Sequence, residues 1–552
     1  MTNQEIHDSF GVNKMIAGDY DPELAAVCSN GTFVGRKNEK GILVFKGVPY
    51  AKPPVGALRW KKPRLAGHDP GVYEAYYNGK TPIQTEWESE RASYYPQGED
   101  CLYLNVWLNP ECADPYKTVM VFFHGGSYGW GGTADPIYDG ANFVKENPDI
   151  IMVTVGYRTG IMGFIDFSEV PGGKDYPDAP NLGLWDMIAA LRWVRKNITA
   201  FGGDPEAVTI FGESAGGGAV SLLPITPAAK GLFRRIIAQS GSVALTFSKK
   251  ECQGFTKRLL DVSGAKSMDD LMAFSEEELK QYNQSINQYN NFPQRDGVLI
   301  PENPYEAWLA GQTANLDVMM GSNANESNYW VGELGGIVPY RLGIPVMFEN
   351  DVRKMRLMDQ MTVKQFIRDG KKHPVWMMSE FYGEIMFRLP MLRQAEGHVH
   401  HGGRAYVYYW TVPSTLPYRG ACHAVELVYV FGNPKETIYT GEEADPGIVK
   451  RTMHMWANFA RTGDPSADGI EWREYKKHRS MMVLGEKAEM KEHIKPGQRQ
   501  KLMPLLRYHL NGSYMDMDLN VPYVKTLAAA GIASLVGFAA AGAGIIWAFK
   551  HR

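Results

Sequence analysis

Two segments of the chain carry a serine two residues from a glycine on either side: Gly125-Gly126-Ser127-Tyr128-Gly129 and Gly212-Glu213-Ser214-Ala215-Gly216. A serine so placed can act as a nucleophile when the pentapeptide forms a sharp turn from strand to helix, because the turn exposes the hydroxyl. The pattern alone discriminates weakly in a chain with 58 glycines. Its surroundings decide. Ser214 follows the strand-like VTIF and precedes AGGGAVSLL, which can form a helix. Ser127 follows KTVMVFFHGG but leads into GWGGTADP, which cannot start a helix at the required place. Ser214 is therefore the candidate nucleophile. The His-Gly-Gly setting of Ser127 suits another duty, in which the backbone N–H groups of Gly126, Ser127 and Ala215 donate to a developing oxyanion.

Such a serine needs a sheet beneath it. KTVMVFFHGG, DIIMVTVGYR, RRIIAQSG and LDVMMGSNANES read as buried strands running into glycine or polar loops, and LGLWDMIAALRWVRKNI has apolar residues at helical spacing. This alternation predicts an α/β fold with a mostly parallel sheet covered by helices on both faces, and chemistry beyond the carboxyl ends of the strands. The polar stretch from about Lys249 to Asn290 and the Met- and aromatic-rich region 330–400 read as insertions capping the sheet, the first helical and the second irregular.

Composition excludes other classes. The 552 residues are 44% hydrophobic and 22% charged with net charge −3, which suits a globular protein with a large core and gives no reason to expect a nucleic-acid partner. Cys28, Cys101, Cys112, Cys252 and Cys422 are odd in number and lack CxxC spacing, so neither a disulfide framework nor a zinc site is expected. Their usage fits a reducing compartment.

The sequence resembles the type-B carboxylesterases, the family of carboxylesterases, cholinesterases and bacterial para-nitrobenzyl esterases. The blocks that carry the resemblance are FKGVPYAKPPVGALRW, EDCLYLNVW, FFHGGSY, NLGLWDMIAALRWVRKNITAFGGDP, VTIFGESAGG, GSNANES and CHAVELVYVFG, in family order from about residue 29 to 510. The resemblance implies an α/β-hydrolase fold and hydrolysis of a small-molecule carboxylic ester without a cofactor or metal. It also implies a triad of Ser214, Glu326 and His423, the last two from the blocks GSNANES and GACH. His423 would take the serine proton and pass it to the leaving alcohol, and Glu326 would fix the imidazole tautomer. Arg59 and Glu99 resemble a structural ion pair of the family. Glu213, beside the nucleophile, is assigned either to the electrostatics of His423 or to packing. The cluster His398, His400 and His401 reads as structural rather than metal-binding.

Three departures stand out. Ser127 occupies a position where many relatives have a third glycine, and a backbone donor survives there only if the local dihedral angles permit. Cys101 resembles half of a family disulfide, but TPIQTEW, the partner region, has no cysteine. The stretch ESERASYYPQGEDC lacks the choline-binding tryptophan of cholinesterases; Tyr94 and Tyr95 are the aromatics nearest that place, and specialisation on choline esters is not expected.

The ends differ. MTNQEIHDSFGVNK, within an N-terminal segment 1–28, has no apolar core and does not read as a secretory signal. After the hydrolase domain 29–510 and a linker 511–525, residues 526–549 carry no charge. The apolar run would be roughly 34 Å long as a helix, enough to span a bilayer. A C-terminal tail anchor is thus expected, with the catalytic domain in the cytoplasm and a short basic tail at 550–552. Ala533, Gly537 and Ala541 recur every fourth residue, a spacing that would let two such helices pair in a homodimer. A membrane-associated lipid or thioester hydrolase is the nearest alternative. A non-catalytic adhesion or scaffold protein is the alternative from another class, and the intact serine motif argues against it.

Overall fold

Alternation between buried strand and helix dominates the computed structural model, which describes residues 3–84, 86, 95–286, 291–332, 338–476 and 478–510. The early strands are β1 (Ala25–Cys28), β2 (Gly31–Val34), β3 (Arg36–Lys37), β4 (Leu43–Pro49), β5 (Val72–Glu74), β6 (Tyr103–Leu108), β7 (Lys117–Phe123) and β8 (Ile150–Val155). They are followed by β9 (Gly203–Glu213), β10 (Arg235–Gln239), β11 (Asp317–Asn323), β12 (Arg404–Trp410), β13 (Ser480–Leu484) and β14 (Ala488–Glu492). Strands β1, β2 and β5 form a small sheet, and the rest form one sheet in the order β14-β13-β12-β11-β10-β9-β7-β8-β6-β4-β3. From β8 to β13 all neighbours are parallel, while the strands at both edges are antiparallel. This is the expected α/β-hydrolase architecture.

The strand sequences explain the layering. In β7 the side chains alternate faces, so Val119, Val121 and Phe123 join one core layer and Met120 and Phe122 the other. All five are fully buried, as a parallel sheet covered on both sides requires. The helix Leu182–Asn197 buries Leu184, Met187, Ile188, Leu191 and Val194 and leaves Arg192, Arg195 and Lys196 exposed.

The polar region after Lys249 is helical, as expected. Its helices Lys249–Ser263, Met268–Ala273 and Glu276–Ser285 each start with a serine capping box, formed by Ser248 with Glu251, Ser267 with Asp270 and Ser275 with Glu278. The region 330–400 differs from its irregular expectation. It contains the helices Val338–Arg353, Leu357–Asp369, Pro374–Tyr382 and Leu389–His400, the last two joined by a π-helical turn at Gly383–Arg388. Phe381, Tyr382, Ile385, Met386, Phe387 and Leu389 are all buried, so the segment from Pro374 to His400 meets apolar neighbours on several sides, while Leu357–Asp369 exposes Leu357, Met358 and Met361 opposite buried Val363 and Phe366. A one-sided apolar stripe therefore never appears in the sequence.

The expected tail anchor is corrected. No helix among the described residues is long and apolar enough to cross a membrane. The linker 511–525, the segment 526–549, the tail 550–552 and the pairing positions Ala533, Gly537 and Ala541 lie outside the described residues. Lack of charge over a membrane-length run admits an anchor without requiring one, and the localisation built on it does not stand.

Candidate active site

Strand β9 ends at Glu213 and the helix Ala215–Leu222 begins two residues later, so Ser214 alone makes the turn. Its φ of 58° and ψ of −120° fall where L-residues are strained. The turn is held by the Ser214 N–H donating to the Gln239 carbonyl at 2.9 Å and the Gly218 N–H donating to the Ser214 carbonyl at 2.8 Å. Gly216 is required for close packing here, because a Cβ on it would collide with the Phe123 carbonyl.

Glu326 and His423 meet beyond the carboxyl ends of neighbouring strands. Glu326 follows β11, and His423 lies in the connection after β12. His423 Nδ1 and Glu326 Oε2 are 2.7 Å apart in a buried hydrogen bond. The other carboxylate oxygen, Oε1, accepts from Ser240 Oγ at 2.7 Å and from the Asn323 N–H at 2.6 Å. His423 Nε2 lies 3.2 Å from Glu213 Oε1 and makes no aligned hydrogen bond. Burial works against the imidazolium, but the Glu213 carboxylate, the hydrogen bond to Glu326, and the charges of Glu326 and Glu426 outweigh it. The His423 pKa is pushed up to about 9.

Ser214 and His423 line one narrow cleft of about 50 Å³, together with Gly126, Ser127 and Glu213. Its walls are aromatic, from Trp130, Tyr138, Tyr329 and Trp330 among others. The His423 ring packs between aromatic neighbours, with the Phe387 centroid at 4.8 Å and that of Trp330 at 5.1 Å. Gly126 has φ 100°, and a Cβ there would collide with the Trp130 carbonyl. Ser127 and Tyr128 follow with φ of 51° and 55°. Ser127 thus adopts the left-handed backbone that glycine accepts without strain. His124 supports this loop: its Nδ1 lies 2.8 Å from the Gly125 carbonyl and its ring stacks on Tyr157. Burial lowers the His124 pKa to about 4, which keeps it neutral. Ala215 is fully buried and directly follows Ser214. An imidazole held at Nδ1 by a carboxylate, lining the same cleft as a serine at a strained turn, is chemically equipped for acyl transfer.

Comparison with known proteins agrees with this chemistry. A para-nitrobenzyl esterase of Bacillus subtilis (strain 168) is 32% identical over 499 residues, covering 84% of this chain and 96% of its own. An acetylcholinesterase of Leptinotarsa decemlineata is 31% identical over 512 residues, covering 81% and 78%. The crystal structure of a carboxylesterase from Geobacillus stearothermophilus at pH 6.2 superposes with a TM-score of 0.75 at 30% identity, over 87% of this chain and 99% of that one. The profile of the carboxylesterase family matches residues 23–501. The chain belongs to the carboxylesterase family and is a carboxylic ester hydrolase.

Arg59, Glu99 and the cluster His398, His400 and His401, also singled out in the sequence, do not line the cleft of this carboxylesterase. Arg59 and Glu99 form a buried bidentate pair at 2.6 and 2.7 Å, and Arg59 Nη1 also donates to the carbonyls of Met272 and Phe274 at 3.1 and 2.8 Å. His398 engages Thr313 Oγ1 and the Arg404 carbonyl through its two nitrogens, and His401 engages the Leu309 carbonyl. No group able to hold a metal occurs among the described residues. The five cysteines are free thiols. Tyr95 reaches the cleft, whereas Tyr94 lies outside the described residues.

Sequence reading missed the support of the acid. Ser240 directly follows β10, the position at a strand's carboxyl end where chemistry gathers, and that was the available signal. It also missed Glu426, which is fully buried and accepts from Asn323 Nδ2 at 2.6 Å and Gln239 Nε2 at 3.2 Å. Burial raises the Glu426 pKa.

Proposed function

We propose that this carboxylesterase hydrolyses small and medium carboxylic esters through an acyl-enzyme on Ser214. The observation that carries the reading is the hydrogen bond between Glu326 and His423 Nδ1, with the imidazole lining the same cleft as Ser214. Ser214 Oγ attacks the ester carbonyl carbon while His423 Nε2 takes its proton. The carbonyl π electrons move onto oxygen, and the N–H groups of Gly126, Ser127 and Ala215 receive that oxyanion. Collapse expels the alkoxide, which takes the proton from His423, and leaves an ester on Ser214. Water, deprotonated by His423, attacks that ester, and collapse releases the carboxylic acid as the departing Ser214 oxygen takes the proton back from His423. Glu326 keeps Nδ1 protonated and stabilises the imidazolium in both halves.

The aromatic walls of the cleft support esters with a flat or aromatic part. Kinship to a para-nitrobenzyl esterase makes nitroaromatic esters the natural probes. The test is hydrolysis of para-nitrophenyl acetate, butyrate and octanoate by the parent and by Ser214→Ala. Turnover that declines with acyl length in the parent, and that falls by roughly 10³-fold or more in the mutant, is expected. A folded parent that neither turns over these esters nor is labelled at Ser214 by an organophosphate would overturn the proposal.

A further inference from the structure

We propose that the N-terminal helix Asn3–Asp8 controls which esters the catalytic cleft admits, by holding Tyr95 in the cleft wall. This helix and the strap that follows it precede the stretch 23–501 matched by the family profile. The helix has one large apolar residue, Ile6, among polar ones, and Phe10 follows four residues later. That spacing puts Ile6 and Phe10 on one side of the turn. Gln4, Glu5, His7 and Asp8 are exposed, whereas Ile6 is fully buried. Six residues make too short a helix to persist in water on its own hydrogen bonds, so docking through Ile6 and Phe10 keeps it in place.

The surface they dock on is Tyr95. Ile6, Phe10 and Tyr95 form an apolar cluster apart from the two large cores, with the Phe10 and Tyr95 ring centroids 6.0 Å apart. Tyr95 is 5% exposed and lines the cleft that holds Ser214 and His423. It also stands beside the loop that follows Ser127, where a Cβ on Gly132 would lie 3.8 Å from the Tyr95 ring. One part of the ring thus belongs to the cleft, and another rests on the N-terminal segment. That segment is fastened on both sides of Phe10. The Asn78 N–H donates to the Ser9 carbonyl at 2.8 Å. Asn13 accepts from the Tyr76 and Tyr77 N–H groups at 2.9 and 3.0 Å and donates to the Tyr77 carbonyl at 3.0 Å. Shortening Ile6 or Phe10 opens space behind Tyr95 into which its ring can withdraw, and an ester too bulky for the parent gains room. Tyr95 is the specificity-determining residue, and Ile6 and Phe10 are positioning residues that act through it.

This control acts on the Ser214-dependent ester hydrolysis proposed above, so the test compares kcat/KM across esters of the full-length chain. Para-nitrophenyl butyrate is the compact ester; para-nitrophenyl benzoate is bulkier in its acyl group and 1-naphthyl butyrate in its alcohol. Ile6→Ala and Phe10→Ala should each raise the ratio of bulky to compact turnover by about fivefold or more for at least one bulky ester. Tyr95→Ala should raise the same ratio, and adding Ile6→Ala to it should change the ratio by under about twofold, since both act at one ring. Val12→Ala, in the same segment but 77% exposed, should leave the ratio at the parental value. A folded Ile6→Ala that turns over all three esters in the parental ratio would overturn the proposal, as would an Ile6→Ala effect that persists in full without the Tyr95 ring. Should Ile6→Ala fail to fold, Ile6→Val carries the test with a smaller rise of the same ratio, and no rise counts against the helix. Activity that survives Ser214→Ala would defeat the hydrolytic reading instead, a result separate from any of these ratios.

Discussion

Glu326 binds His423 with one carboxylate oxygen and is itself fixed through the other, by Ser240 Oγ and the Asn323 N–H. The acid is thus restrained on both sides before it restrains the imidazole. This makes the orientation of His423 a property of the loops after β10 and β11 as well as of its own.

If that orientation matters, Glu326→Gln should lower kcat by about 10³- to 10⁴-fold, because the amide no longer enforces protonation at Nδ1. Ser240→Ala removes one of the two donors to Oε1 and should cost far less, about tenfold or under. Steady-state kinetics on para-nitrophenyl butyrate would separate them, and equal losses would show that Ser240 does more than hold Glu326.

The pH dependence follows from the acidic surroundings of His423. A general base must be neutral, so kcat/KM should rise with pH through a limb near the His423 pKa of about 9. Glu213 is the largest of the charges that raise this value, and Glu213→Gln should move the limb to lower pH. Stability has the opposite sign. A folded pKa above the ordinary 6.5 contributes stability that is fully present below 6.5 and is lost as pH rises through about 9. A kcat/KM profile whose limb is the same in Glu213→Gln and the parent would refute this account.

Ser127 tests whether the oxyanion loop works through backbone alone. Its φ of 51° carries a steric cost of about 1 kcal/mol that glycine avoids, partly offset by the greater chain entropy of glycine when unfolded. Ser127→Gly should therefore keep full activity and change stability by no more than about 1 kcal/mol. A large loss of kcat in Ser127→Gly would show that the hydroxyl takes part.

Arg59 and Glu99 should matter for stability only. Arg59→Met leaves Glu99 buried without its partner, for which the expected cost is about 3–5 kcal/mol. Urea unfolding measures that loss, while kcat of the folded fraction should stay at the parental value.

What could be read from the sequence was local. The turn at Ser214 announces itself because strand, glycines and helix are contiguous, and the same contiguity identified β7, β8, β10 and β11. Glu326 was different: as one loop carboxylate among many it could be chosen only by its likeness to a family block, because its partner is 97 residues away. Ser240 and Glu426 escaped notice for the same reason, since their roles come from contacts across the sheet. The helices of 330–400 were missed because burial on several sides erases periodicity. The anchor expected at 526–549 fails on another ground: a run without charge specifies only that it avoids water, and several kinds of cover satisfy that.

The order of the parallel strands has a consequence for biogenesis. Ser214 follows β9, Glu326 follows β11 and His423 comes after β12, so the proposed triad is gathered from three well-separated parts of the polypeptide. On the proposed triad, a nascent chain should acquire no activity while His423 is still inside the ribosome, and fragments that end before β12 should be inert however well they fold. Esterase activity would then report that synthesis has passed His423, and two complementary fragments divided between β10 and β11 would make a sensor of their own reassembly.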